Sequence, residues 1–142
     1  MVLTILNVNA ADGDQAVTTS VKTHLSTNAA LCGTPVELSE GGAIVELETT
    51  QAMVVDDHGL VHGGFIFGLA DYAAMLSINH PHVVLGKATT KFLKPTRVGD
   101  VVRAHARLSR EDGKKKIVEV TVAQDDATIF EGEFICFVPQ NH

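Results

Sequence analysis

The residue best suited to chemistry in this chain is a single carboxylate inside an apolar stretch. Of the fourteen residues from Phe65 to Ile78, eleven are apolar, and the exceptions are Gly68, Asp71 and Ser77. At helical spacing the neighbours of Asp71 are Gly68, Ala74, Met75 and Ile78, none of which can pair with it. Leaving a buried carboxylate unpaired costs roughly 3–5 kcal/mol. Either a backbone N–H or a histidine from across an interface answers it, or the group has a catalytic or ligand-binding task. Gly64 and Gly68 fall on the same helical face and leave space above the carboxylate for a ligand or another backbone.

The stretch is preceded by His62-Gly63-Gly64. Glycines at a helix start present N–H groups unobstructed by side chains, and with the helix dipole they suit a carbonyl oxygen that becomes an oxyanion. Two glycines also make an ordinary tight turn into a helix, and His62 equally serves as a cap or a packing residue. Asp71 comes nine residues after His62, about 13 Å along a helix axis. It is too far to act on the same carbonyl within one chain. Two antiparallel copies of the helix would set one chain's Asp71 opposite the other's Gly63.

These groups must be positioned by the surrounding elements. A helix apolar on all sides is buried on all sides, which asks for a strongly curved sheet around it, a partner subunit, or both. The spacing of Val17, Val21, Leu25 and Ala29 predicts a first helix from Asp12 or Asp14 to about Leu31, ended by Gly33-Thr34-Pro35. A strand is expected over 43–49, an irregular segment over 51–60 and the long helix over 61–79, stopped by His80-Pro81. Strands follow over 87–95, 100–109, 116–124 and 128–138, with turns at Glu111-Asp112-Gly113 and Asp125-Asp126. The order implies an antiparallel sheet packed on one major helix.

The 142 residues suit a single domain over 1–142, with 45% hydrophobic residues and few aromatics, so a core of Val, Leu, Ile and Ala. Eleven Lys and Arg against seventeen Asp and Glu give a net charge of −6, which argues against a nucleic-acid partner. Cys32 and Cys136 are too few for a disulfide framework, and Cys136 reads as core. No signal peptide or membrane span is expected, so the expectation is a soluble cytoplasmic protein. His58, His62, His80 and His82, with Asp56 and Asp57 nearby, read as surface and loop residues rather than a metal site, and no cofactor is expected. Lys87, Lys91, Lys94, Arg97, Arg103 and Arg107 are either solvated strand faces or a strip for the phosphates of coenzyme A or a phosphopantetheine carrier.

His62-Gly63-Gly64, Phe67 and Leu69-Ala70-Asp71 read H-G-G-x-x-F-x-L-A-D. This motif resembles the hotdog-fold acyl-CoA thioesterases, in particular the phenylacetate-degradation branch of the 4-hydroxybenzoyl-CoA thioesterase superfamily. Phe92-Leu93-Lys94-Pro95 followed by Gly99-Asp100 extends the similarity, which spans about 43–138. The resemblance implies an α+β hotdog fold, an antiparallel sheet wrapped around one long central helix. It implies homodimers with active sites at the interface, often paired as dimers of dimers. It implies Asp71 as general base or nucleophile, Gly63 as the N–H that polarises the thioester carbonyl, and His62 as a supporting residue. Gly64, Phe67, Thr89, Thr90, Lys91 and Arg97 are the expected substrate contacts. Asp56 stands where this branch often has Asn. A second acid there would raise the pKa of Asp71 if close across an interface, or would itself orient the water.

The implied activity is hydrolysis of a short-chain or aromatic acyl-CoA. The chemistry is consistent with it, because a leaving thiolate needs little acid help and one carboxylate with an oxyanion site suffices. The alternatives are an acyl-thioester hydratase or dehydratase, which uses a different motif, and an acyl-CoA-sensing module, which would come with a DNA-binding domain for which 142 residues leave no room.

Overall fold

The computed structural model describes residues 4–6 and 18–139. Two short strands, β1 (Thr4–Leu6) and β2 (Thr18–Ser20), form a separate antiparallel pair. A one-turn helix α1 (Ala29–Cys32) leads into β3 (Thr34–Ser39) and β4 (Gly42–Glu48). A 3₁₀ turn at Gln51–Met53 and a loop precede α2 (Gly63–Ile78). Then come β5 (Val84–Phe92), β6 (Val101–Asp112), β7 (Lys115–Gln124) and β8 (Ala127–Phe137). The main sheet has six strands in the order β3-β4-β6-β7-β8-β5, with every neighbouring pair antiparallel. All six strands touch α2. This is the hotdog fold, with the sheet curved around one long helix.

The core follows from period-two alternation. Val102, Ala104 and Ala106 of β6 and Val118, Val120 and Val122 of β7 are buried against the helix, while Arg103, His105 and Arg107 face outward. Nine of the α2 residues are buried, so the sheet alone covers most of the helix. The less covered stripe runs along Gly64, Phe67, Gly68 and Asp71. Asn79 ends α2 in the left-handed conformation, φ 53°, with its N–H on the Met75 carbonyl. Among the described residues no helix is long and apolar enough to cross a membrane.

The first expected helix is not there. Its residues 12–17 lie outside the described ones, and its remainder is β2, an irregular segment and the single turn α1. Two interactions take the place of helical hydrogen bonds. The Asn79 side chain accepts from the Lys22 N–H (2.8 Å) and donates to the Ser20 carbonyl (2.9 Å). Val21 and Thr23 are buried with Lys22 exposed between them, an extended alternation, and His24 then takes a positive φ of 55°. Leu25, expected on the buried face, is 41% exposed.

Strand β3 was not expected from the sequence. A register shift between Pro35 and Glu37 puts the buried Pro35 and Leu38 three residues apart, which imitates a helical interval. Gly33 sits just before it at φ 101°, where a Cβ would stand 2.8 Å from a Val45 methyl and 2.9 Å from both the Glu46 carbonyl oxygen and a Leu69 methyl. Gly33→Ala is therefore expected to cost roughly 3 kcal/mol from backbone strain and overpacking. Thermal denaturation should show a Tm about 10 °C lower, and an unchanged Tm would contradict the close packing of α1 on β4 and α2.

Candidate functional site

His62 is the N-cap of α2, and its ring accepts from the Gly64 N–H at Nδ1, 2.7 Å away. That bond requires Nδ1 without its proton, which leaves the neutral ring's proton on Nε2. The Phe65 N–H bonds the His62 carbonyl at 3.1 Å. Of the first-turn donors, the Gly63 N–H alone has no acceptor among the described residues. The sequence offers both glycines as donors, and the structure divides them: Gly64 is capped, Gly63 is open. The loop is anchored by the His62 N–H on the Met53 carbonyl (2.8 Å) and by the Val61 N–H on the Thr96 carbonyl (2.9 Å).

Above Gly63 lies Phe92. A Cβ on Gly63 would stand 3.2 Å from the Phe92 ring, so a glycine here keeps the ring close. Beside them is a cavity of about 180 Å³ between the start of α2 and the segment 92–96. A larger cavity, about 730 Å³, lies near the other end of the helix, around Ile78, Leu108 and Lys114, and includes neither Gly63 nor Asp71.

Asp71 is eight residues beyond Gly63 on the same helix, about 12 Å along its axis. Its Oδ1 is buried with no hydrogen-bond partner among the described residues. Burial pushes its pKa up to about 6. The group it acts on is Cys136, on β8: burial first, and then the charge of Asp71, push that thiol up to about 12. Such a thiol is no nucleophile at neutral pH, and full burial agrees with Cys136 as core. A Cβ on Gly68 would meet nothing within 4 Å, so there is open space on the helix one turn before Asp71.

The other expected site residues are dispersed. Phe67 packs on Phe134 with ring centroids 5.5 Å apart, close to the Asp71 turn. Asp56 is exposed, and its Oδ1 accepts from the N–H groups of His58 (2.9 Å) and Leu60 (3.2 Å). Those two bonds hold its carboxyl below the usual range. Burial is the cause of the shift at Asp71, so within one chain Asp56 does not act on it. Arg97 lies beside the same loop, its guanidinium 3.5 Å from the His58 carbonyl. Thr90 faces the helix side of β5, packed toward Gly132. Thr89 and Lys91 project from the other face, into a groove with Glu119, Glu131 and Glu133. The strand's alternation separates what adjacency in sequence had grouped. Among the described residues no three His, Cys, Asp or Glu side chains come together as a metal site would require.

Phe92 and Cys136 are the neighbours that sequence reasoning missed as such. Phe92 carried a signal, as the first residue of its Phe-Leu-Lys-Pro run. Nothing local to Cys136 reveals that the charge of Asp71 reaches it.

The curved sheet, the central helix and the capped glycine turn place this chain in a defined class: residues 58–130 match the thioesterase superfamily, and the chain belongs to that family. It is 54% identical over 114 residues to methylthioribose-1-phosphate isomerase of Aquifex aeolicus, covering 80% of this chain and 25% of that protein. It is 32% identical over 100 residues to the transcription factor FapR of Caldanaerobacter subterraneus subsp. tengcongensis, covering 70% of this chain and 50% of FapR. The chain thus spans between a quarter and a half of these curated relatives. Among solved structures it superposes on an uncharacterised protein of Pyrococcus horikoshii with TM-score 0.86 and 52% identity, over 87% of this chain and 95% of that one. It also superposes on a variant of the phenylacetic acid degradation protein PaaI of Thermus thermophilus, with TM-score 0.71 and 26% identity, over 78% and 96% of the two chains.

Proposed function

We propose that the protein is an acyl-CoA thioesterase of the phenylacetate-degradation type, acting on a short-chain or aromatic acyl-CoA. The observation that carries this reading is the pair of unsatisfied groups on one helix: the free Gly63 N–H at its start and the orphaned, half-buried carboxylate of Asp71 two turns on. A donor without an acceptor and a base without a proton donor are the two groups that thioester hydrolysis uses. The thioester carbonyl oxygen accepts from the Gly63 N–H. Asp71 takes a proton from water as the water oxygen bonds to the carbonyl carbon. The oxyanion is held by the N–H and the dipole of α2, and the thiolate then leaves without protonation.

The separation along the axis means that each reaction uses Gly63 of one copy and Asp71 of another. The stripe of Gly64, Phe67, Gly68 and Asp71 is the part of α2 that the sheet covers least. β5, at the sheet's edge, has one side unpaired among the described residues. Both features support a homodimer in which two α2 helices run antiparallel. Asp56 fits a role in shaping the loop beside His62, and Arg97 and Lys94 are cations without an ion pair among the described residues, available to phosphates of coenzyme A.

A panel of acyl-CoAs assayed by free-thiol release tests the reading. The expected result is turnover of a short-chain or aromatic member. A second reading, acyl-CoA sensing without hydrolysis, is favoured by the similarity to the transcription factor FapR. Saturable binding across the panel with no thiol release would establish that reading and exclude the first.

A further inference from the structure

Phe92 is 55% exposed, a large share for an aromatic ring held on two sides. Its edge meets the buried Phe130 at 5.0 Å and 77°, and its ring lies against Gly63. With Leu93, 47% exposed, it forms the outer wall of the 180 Å³ cavity, whose inner wall is Val61, Ile66 and Ile129, all buried. Gly63, whose N–H has no acceptor among the described residues, lines the same cavity.

A thioester carbonyl seated on that N–H has two substituents, the acyl chain and the thiol arm of the carrier. The thiol arm of coenzyme A bears amides, which lose free energy wherever they are buried without hydrogen-bond partners. Apart from Gly63, the polar residues lining this cavity are Lys94, exposed at the rim, and Thr96, which offers a single hydroxyl and a carbonyl that already accepts from the Val61 N–H, too few partners for the amides of that arm. Hydrocarbon suits the walls and the amide-bearing arm does not. At about 30 Å³ per small heavy atom, as for liquid water, the cavity takes roughly six atoms.

We propose that this cavity is the acyl pocket, and that Phe92 and Leu93, its outer wall, limit the substrate to apolar acyl groups of roughly six heavy atoms, a short chain or one ring. The proposal rests on the reading of Gly63 as the donor to the thioester carbonyl. A longer chain meets Phe92, and a shorter one leaves the cavity partly empty.

The test uses non-hydrolysable 2-oxoalkyl thioethers of coenzyme A with propyl, hexyl and decyl chains, titrated calorimetrically against the wild type, Phe92→Ala, Phe92→Leu and Leu93→Ala. Wild-type affinity is expected to rise about fourfold per methylene up to the hexyl chain and then level off. Phe92→Ala should tighten the decyl analogue about tenfold and leave the propyl analogue within about twofold. Phe92→Leu and Leu93→Ala, milder changes at exposed positions, should move the limit in the same direction, and they carry the test if the Ala variant does not fold. A change by one common factor for all chain lengths would place Phe92 on the thiol arm and overturn the proposal. So would a wild-type affinity indifferent to chain length. Binding does not need cleavage, so chain-length selection without thiol release would refute the thioesterase reading and leave the pocket standing.

Discussion

Asp71→Asn is expected to lower kcat for acyl-CoA hydrolysis by about 10³-fold, the scale of a lost general base, while leaving the fold intact and more heat-resistant at neutral pH. The two effects have one cause. Oδ1 of Asp71 is buried without a hydrogen-bond partner among the described residues, and burial holds the carboxyl at about 6. A carboxyl whose folded-state pKa is raised favours the folded state while it keeps its proton. That contribution is fully present below its unfolded pKa of about 4 and is lost as pH rises through about 6. Above pH 7 the wild type therefore gives up roughly 1–3 kcal/mol, discounted for the part of the group that reaches solvent, which the Asn variant does not. Melting curves from pH 4 to 8 should show the variant's advantage open through this interval, while the wild-type rate rises with pH about the same midpoint, because the base must be unprotonated. A variant that keeps near-full kcat would remove Asp71 from the chemistry. A variant that fails to fold would instead mark the carboxylate as structural.

The second large effect is expected at Gly63→Pro. Proline is tolerated at the first position of a helix, where its missing N–H has no helical acceptor, and His62 already has the extended backbone that a residue before proline prefers, φ −62° and ψ 131°. The substitution removes the one open donor of the first turn and little else, so kcat should fall about 10²–10³-fold, as for loss of an oxyanion donor, with helix content and Tm nearly unchanged. Gly63→Ala is the control. It adds a comparable Cβ contact with Phe92, 3.2 Å from the ring, but retains the N–H. At that distance the ring need give by only a few tenths of an ångström, so the Ala variant should keep kcat within about tenfold of wild type. Equal losses in the two variants would mean that the position of the Phe92 ring matters, not the donor.

Much of this was legible in the chain. Local rules acting on short segments predicted α2, its glycine start and its odd carboxylate: an uninterrupted apolar run, an N-cap residue and a helix stop. The alternation of Val102, Ala104 and Ala106 against Arg103, His105 and Arg107 likewise marked β6 without any tertiary knowledge. The errors fell where a distant partner overrode the local pattern. The i, i+4 spacing of Val17, Val21, Leu25 and Ala29 suggested a helix, but the side chain of Asn79, nearly sixty residues away, captures the backbone of Ser20 and Lys22. In β3 a register shift turned a strand's period of two into an interval of three.

Helix formation, capping and apolar periodicity depend on neighbours a few residues apart, so the chain alone specifies the element that carries the chemistry and the types of group on it. Which of those groups are available depends on the assembled fold. It capped Gly64 with His62 and left Gly63 open, set Phe92 against Gly63, brought Cys136 within reach of the charge of Asp71, and turned Thr89 and Lys91 to the opposite face of the sheet from Thr90. Those outcomes depend on strand order, register and the direction of side chains across the sheet, which arise from contacts between residues far apart in the chain.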